Sequence, residues 1–374
     1  MTNKRSFILT TCGTSLLTNC ALSAEERYVT LKHGNIKDFD SITDEEDKRL
    51  LKALVKRAKQ RLAQAKDEEL LKMSAELNSL LQYYGGSIPE KSMDVHCLLC
   101  SDTLLGRTTG SALKEWLEAK GLAVMMHVQK DLQTVELISF QYALAELARF
   151  VHDLVPGYRD KGYSIIFNLT GGFKGVQGFL QTVASFYADE ALYIFQTGKE
   201  LLRIPRLPVR MDGEGIIQEH LEFFRKVSNG LAVEQVPNSL PETMILKMDG
   251  EVALSPWGEL LWNQCKKAIY RREVLCPPSN LVRFGHRFSQ SIKGLGPERT
   301  AILNERIDDL SKFMEERKRG GRYNPRRLDF KELMGKPVLE STHECDAWAD
   351  QDAKRLFCHF EGEVLVVDEL GEHL

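Results

Sequence analysis

The 374-residue sequence contains no run of eighteen apolar residues, so no segment reads as a membrane-crossing helix. The first apolar run ends at Leu9 and gives way to Thr10-Thr11-Cys12-Gly13, too short and too soon broken for a signal peptide. There is no Walker-type glycine–lysine loop, which argues against a nucleoside triphosphatase of that kind. No GxGxxG follows the first apolar strand, which argues against a dinucleotide oxidoreductase. No HExxH and no carboxylate cluster at ligand spacing points to a catalytic metal. Net charge is also scarce, at −3, which argues against tight non-specific duplex binding. The eight cysteines are scattered rather than paired in a framework. Cys97 and Cys100 form a CxxC inside an expected strand, where side chains three apart face opposite sides, so free thiols in a reducing cytoplasm are the expectation.

What is present has the length of two or three domains and an apolar content, 43%, that can fill real cores. Apolar strands are expected at Ser6–Thr11, His96–Cys100, Ala123–Val128, Ser164–Leu169 and Leu192–Phe195, with helices near 110–119, 140–154 and 176–186 between the later ones. Strands alternating with helices at this spacing predict βαβ units and a parallel sheet covered on both faces. Asp44–Leu81, rich in Ala, Leu, Lys and Glu, reads as one or two exposed helices inserted after the first strand, a packing or dimer element. After Pro205 the rhythm changes. Ile216–Val227 reads as a helix, and Ser255 with Pro256 reads as the cap of another that ends near Arg271-Arg272, like the end of a winged helix. Cys276-Pro277-Pro278 reads as a linker. A strand at Leu281–Phe284, two helical stretches at Arg299–Leu310 and Phe313–Arg319, and strands Lys354–Phe360 and Glu363–Val367 predict a small α+β domain.

Open α/β sheets bind ligands beyond the carboxyl ends of their strands, where the strand order reverses. Three Ser-, Thr- and Gly-rich loops are expected at such ends: Thr10–Ser15, Ser101–Gly106 and Thr170–Lys174. Hydroxyls and unhindered backbone N–H groups suit phosphate and ribose oxygens, and Lys174 adds a full charge. The competing reading is that Gly171 and Gly172 serve a plain tight turn and Lys174 is solvated.

At the other end, the chemistry available is that of metal-free RNA cleavage. A 2′-hydroxyl must lose a proton, the 5′-oxygen must gain one, and cations must meet the charged phosphorane. Four of the nine histidines, 286, 343, 359 and 373, fall in the last hundred residues. Alternation along Lys354–Phe360 places Arg355, Phe357 and His359 on one face, with Leu356, Cys358 and Phe360 on a core face. Arg355 and His359 then either line a groove or are solvated strand residues. Between Lys312 and Lys336 nine Lys or Arg stand against four Asp or Glu, a local basic stretch able to meet phosphates.

Thr10-Thr11-Cys12-Gly13-Thr14-Ser15 together with Asn168-Leu169-Thr170-Gly171-Gly172-Phe173-Lys174 resembles the CARF domain of CRISPR-associated effectors, over about residues 1–205. The resemblance implies a homodimer that binds a cyclic oligoadenylate across its two-fold axis, cyclic tetra-adenylate being the first expectation. It makes Thr11, Gly13, Thr14, Ser15, Ser101, Asp102, Thr103, Thr170, Gly171, Gly172 and Lys174 the contact candidates. Asp102 suits ribose hydroxyls or adenine amino groups, or else a structural cap. The segment His343–Trp348, then Lys354–Phe357 and Val364–Gly371, with Asn304–Leu310, resembles the RelE-type toxin fold over about residues 280–374. That resemblance implies a small mRNA interferase acting in the ribosomal A site. It implies phosphate stabilisation by Arg355 and proton transfer by His373, with His343 and Arg326, in the Arg319–Arg327 segment, as further carry-overs. The chain lacks the C-terminal helix that carries a catalytic tyrosine in some members.

The combined expectation is multidomain, α/β plus α+β. It comprises a Rossmann-like CARF sensor at 1–205, a winged-helix-like connector at 206–277 and a RelE-like ribonuclease at 278–374. Function is expected to be ribosome-dependent mRNA cleavage switched on by cyclic oligoadenylate in type III CRISPR defence, in the cytoplasm, without metal or cofactor. Two other readings stay open: a ligand-sensing winged-helix transcription regulator, and an activated ribonuclease that needs no ribosome.

Overall fold

The computed structural model describes residues 5–90, 92–132, 136–172, 174–195, 200–208, 213–248, 250–333, 339–350 and 352–372. The chain is mixed α/β and divides into two compact units, Met1–Arg210 and Met211–Leu374. Among the described residues no helix is long and apolar enough to cross a membrane.

In the first unit β1 (Ser6–Thr11) is followed by α1 (Ser15–Cys20), α2 (Ala24–Lys32), α3 (Glu45–Gln64), α4 (Asp67–Met73) and α5 (Ala75–Tyr83). Then come β2 (Val95–Ser101), α6 (Leu104–Ala119), β3 (Ala123–Gln129), α7 (Leu137–Asp160), β4 (Ser164–Asn168), α8 (Lys174–Tyr187), β5 (Glu190–Tyr193) and β6 (Leu202–Pro205). The sheet order is β3-β2-β1-β4-β5-β6. Strands β1 to β5 run parallel, as the alternating pattern predicted, and β6 returns antiparallel at the edge. Every residue of β1 is buried, because helices cover both faces of a central parallel strand. The chain lays strands to one side of β1 and then to the other, so the switch point falls between β1 and β4, where Thr10 pairs with Asn168.

The inserted block differs from its expectation. It forms three helices rather than one or two, and it is not an exposed arm. Asp44 caps α3 by accepting from the amides of Glu46 and Asp47. Leu51, Leu54, Ala58 and Leu62, spaced by three and four along α3, are buried in one cluster with Ile8 and Leu98 of the sheet. Leu77 and Leu80 of α5 join the same cluster. The Lys- and Glu-rich composition reports only the outer face of these helices.

The second unit holds α9 (Glu214–Glu219), α10 (Leu221–Ser228), β7 (Ile245–Met248), β8 (Glu251–Leu254) and α11 (Pro256–Tyr270). It continues with β9 (Val282–Phe284), α12 (Phe288–Ser291), α13 (Pro297–Lys318), β10 (Lys331–Glu332), β11 (His343–Trp348), β12 (Lys354–Glu361) and β13 (Val364–Glu372). The two helical stretches expected at 299–310 and 313–319 are one helix, α13. Strands β7 and β8 make a separate hairpin, and the remaining strands form a sheet in the order β10-β11-β12-β13-β9. All its pairings are antiparallel except β13 with β9. Leu356, Cys358 and Phe360 face the core together with Leu303, Ile307 and Leu310 of α13, the face that alternation assigned them.

Residues 211–277 and 278–374 share this second unit. A buried ion pair joins them: Arg225 of α10 donates to Asp308 of α13 at 2.6 Å, with both side chains under 5% exposed. Tyr270 of α11 also donates to Asp308. Asn304 donates to the carbonyls of Tyr270 and Glu273 and accepts from the amide of Leu275, satisfying backbone groups where the chain leaves α11.

Candidate functional site

At the carboxyl edge of the six-stranded sheet, the loops after β1, β2 and β4 open on the same side, because those strands run parallel. The loop after β1 meets the loop after β4 directly. The Thr11 hydroxyl donates to the carbonyls of Gly171 at 2.5 Å and Asn168 at 3.3 Å. Gln177 of α8 donates to the carbonyls of Thr170 and Gly171.

The glycines here are spatial necessities. A Cβ at Gly13 would stand 2.7 Å from the Gly172 nitrogen, and Gly172 itself has φ +93°, which side-chain-bearing residues rarely adopt. A Cβ at Gly171 would stand 2.1 Å from a carboxylate oxygen of Glu76. That glutamate belongs to α5 and is fully buried. It accepts from the Gly13 amide at 2.7 Å, the Ser15 hydroxyl at 2.7 Å and the Ser74 hydroxyl at 2.6 Å. Asn168 extends the same seam, accepting from Ser79 and donating to the Glu76 carbonyl.

The sequence candidates therefore fall into two groups. Thr11, Gly13 and Ser15 are engaged in holding loops together, and Ser101 and Thr103 are buried, sharing a 2.8 Å hydroxyl contact. Thr103 caps α6 by accepting from the Gly106 amide. Asp102 is not the cap. It pairs with Lys37 at 2.7 Å, while its carbonyl accepts from Arg107. Thr14 and Gly172 are half-buried, Gly171 is buried, and Lys174 is exposed at the first residue of α8. The Thr170 hydroxyl is buried without a partner among the described residues. Phe173 lies outside the described residues. A cavity of about 820 Å³ lined by Arg5, Tyr84 and Asp94 lies at the opposite, amino-terminal end of β1 and β2, away from these loops. Nearby His96 is pushed down to about 4 by burial and is neutral at physiological pH.

In the second unit, Arg355 and His359 share the outer face of β12, as alternation required. Between them Phe357 is buried, with a ring carbon 2.6 Å from where a Gly371 Cβ would stand. Arg355 is 8% exposed and lies among carboxylates: Asp346 at 3.0 Å, Glu344 at 3.3 Å and Asp329 at 3.8 Å. Its positive charge is thus shared with acidic neighbours rather than presented alone.

His359 has a different setting. The pairing of β12 with β13 slips between Phe357 and Cys358, leaving Asp368 as an extra residue in β13. Asp368 is almost fully buried, accepts from the Ser341 hydroxyl at 2.6 Å and lies 2.9 Å from His359 Nδ1. Glu361 lies 3.3 Å from Nε2 and is itself paired with Arg283. The hydrogen bond to Asp368 raises the His359 pKa above its ordinary value, against the opposing effect of partial burial. A histidine oriented at Nδ1 by a buried carboxylate, with only the half-exposed Glu361 at Nε2, can pass protons at Nε2.

His343 faces the core edge, stacked on Phe330 and edge-on to Phe360, and burial lowers its pKa. Arg326 is exposed; its neighbour Arg327 pairs with Asp309 at 2.7 Å. His373 lies outside the described residues. The basic pair ending α11 is internally satisfied, Arg271 by Glu298 and Arg272 by Glu214. Glu76, Ser341 and Asp368 are the polar residues that sequence reasoning missed. Glu76 sits in a helix otherwise read as packing, and no sequence signal announces the slip that exposes Asp368 to His359.

Residues 71–207 match a protein family described as CRISPR-associated protein (Cas_APE2256). The match covers α5, the strands β2 to β6, and two of the three loops. It supports a CRISPR-associated protein. No curated protein matches the chain.

Proposed function

We propose that this protein is a ligand-controlled ribonuclease of CRISPR defence. Its first unit acts as a CARF-type sensor that binds a cyclic oligoadenylate, with cyclic tetra-adenylate the first candidate. The second unit, through a RelE-like terminal region, cleaves mRNA in the ribosomal A site. One observation carries the reading: Ser-, Thr- and Gly-rich loops converge at the switch point of a parallel sheet, and two of them fall within the stretch similar to a CRISPR-associated family. A dimer would offer two equivalent sets of loops to a symmetric ring. The outward groups for its phosphates and riboses are Thr14, Gly172 and Lys174, with the unpartnered Thr170 hydroxyl beside them.

For cleavage, His359 is the best-placed proton carrier of the candidates, because Asp368 orients its ring and favours its charged form. The protonated imidazole suits delivery of a proton to the leaving 5′-oxygen. Arg355 supplies positive charge near the same face, tempered by Asp346 and Glu344. Ligand can control cleavage only by binding two conformations unequally.

The test is a reconstituted translation reaction with full-length protein, with and without cyclic tetra-adenylate, scored by primer extension on the message. Cleavage confined to reactions with the ring is expected. Equal cleavage in both rejects the switch. Ring-dependent cleavage of a naked transcript at the same rate rejects the ribosomal step.

A further inference from the structure

Glu76 is the buried group that the proposed function leaves unused. It is fully buried, and the groups that meet its carboxylate among the described residues are neutral. They are the Gly13 amide and the hydroxyls of Ser15 and Ser74. A backbone amide and a hydroxyl in a glycine loop beyond a strand are the groups by which such loops hold an anionic oxygen of a ligand. Here a side chain of the inserted helices holds that position. The loops are shaped around it: Gly171 has no room for a Cβ because Glu76 Oε1 would stand 2.1 Å away. Asn168, at the end of β4, is tied to the Glu76 carbonyl and to Ser79, so α5 is anchored on both sides of the switch point.

We infer that Glu76 is a built-in anion that fills the anion seat of the β1 loop, and so determines where a ligand's phosphates can lie. With Gly13 and Ser15 already engaged, phosphates are confined to the outward side, at Gly172, Thr14 and Lys174. Glu76 is thus a positioning residue: it orders the β1 and β4 loops against each other and keeps phosphate out of the gap between them. A fixed negative charge at this depth also weakens binding of any polyanionic ligand, a discriminating cost that favours a ligand engaging the outer groups at several points. The placement of the ring rests on the sensor reading above; the filled anion seat does not.

The experiment uses the full-length protein with Glu76→Gln and Glu76→Ala. Glutamine can still accept from the Gly13 amide and donate to a serine hydroxyl, so it keeps the geometry and removes the charge. Calorimetry with cyclic tetra-adenylate is expected to show tighter binding by Glu76→Gln, about tenfold, from loss of one nearby negative charge. Calorimetry with inorganic phosphate is expected to show a binding site in Glu76→Ala that the natural protein lacks, because the vacated amide and hydroxyl are free to donate to the anion. Phosphate uptake with no ring binding by any variant would overturn the sensor reading and leave the filled seat standing. Unchanged ring affinity in Glu76→Gln, or a folded Glu76→Ala that ignores phosphate, would overturn the inference and leave the sensor reading intact. If circular dichroism shows that Glu76→Ala does not fold, Glu76→Ser replaces it in the phosphate titration, where absence of binding is equally decisive.

Discussion

Each unit buries a carboxylate beside an irregular stretch of backbone, and the two are handled differently. Glu76 sits where two glycine-bearing loops press together, saturated by an amide and hydroxyls and closed from solvent. Asp368 sits at a slipped strand pair, with a hydroxyl on one side and a partly exposed imidazole on the other. A carboxylate surrounded by groups that cannot titrate acts by holding geometry and by its fixed charge. One paired with a histidine passes its influence to a group that changes charge near neutrality. The first arrangement suits binding and the second suits proton transfer, which is the division of labour proposed for the two units.

The sharpest way to break this comparison is at His359. Replacing it with alanine is expected to lower RNA cleavage by roughly 100- to 10,000-fold while ring affinity stays unchanged. Loss of ring binding instead would show that the two carboxylates do not serve separate tasks. Asp368→Asn is expected to keep part of the activity and to move the alkaline limb of the pH–rate profile to lower pH. The sign follows from the raised pKa of His359. Its acid form persists to higher pH while Asp368 is charged, and activity that needs that form falls as pH rises through the folded value. The stability contributed by this pair follows the same course, complete below the unfolded value and lost as pH rises through the folded one. An unmoved limb would assign Asp368 a purely structural role.

A third buried carboxylate, Asp308, calibrates what a full countercharge means. Arg225→Met leaves it unpaired and is expected to destabilise the protein by about 3–5 kcal/mol in denaturant unfolding. A change near zero would mean that Tyr270 alone suffices to hold Asp308. The smallest effect is expected at Lys174, exposed at the start of α8. Lys174→Ala should weaken ring binding by roughly 2- to 5-fold, with the difference shrinking as salt is raised. A loss that is larger and independent of salt would place Lys174 inside a desolvated site.

Much of the frame was readable in the chain. Apolar runs such as Phe7–Leu9 and Ile165–Phe167 announced buried parallel strands, and alternation assigned Leu356 and Cys358 to the core of the terminal sheet. Ser255 with Pro256 marked the start of α11. The inserted helices differ from their expectation because their composition is dominated by the solvent face, while the packed stripe of Leu51, Leu54, Ala58 and Leu62 is thin. The three polar loops are legible as loops. Which of their groups face outward was not readable, because Gly13, Ser15 and Thr11 are claimed by partners more than sixty or a hundred residues away.

The sequence by itself determined the strand–helix rhythm, the three polar loops and the outer-face placement of Arg355 and His359. These follow from local periodicity and turn chemistry, which neighbouring residues settle among themselves. Only the tertiary structure decided that Glu76 fills the gap between two of those loops, that Arg355 lies among carboxylates, and that Asp368 reaches His359. Such pairings depend on packing and on strand register, so a buried charge finds its partner through the fold rather than through its position in the chain.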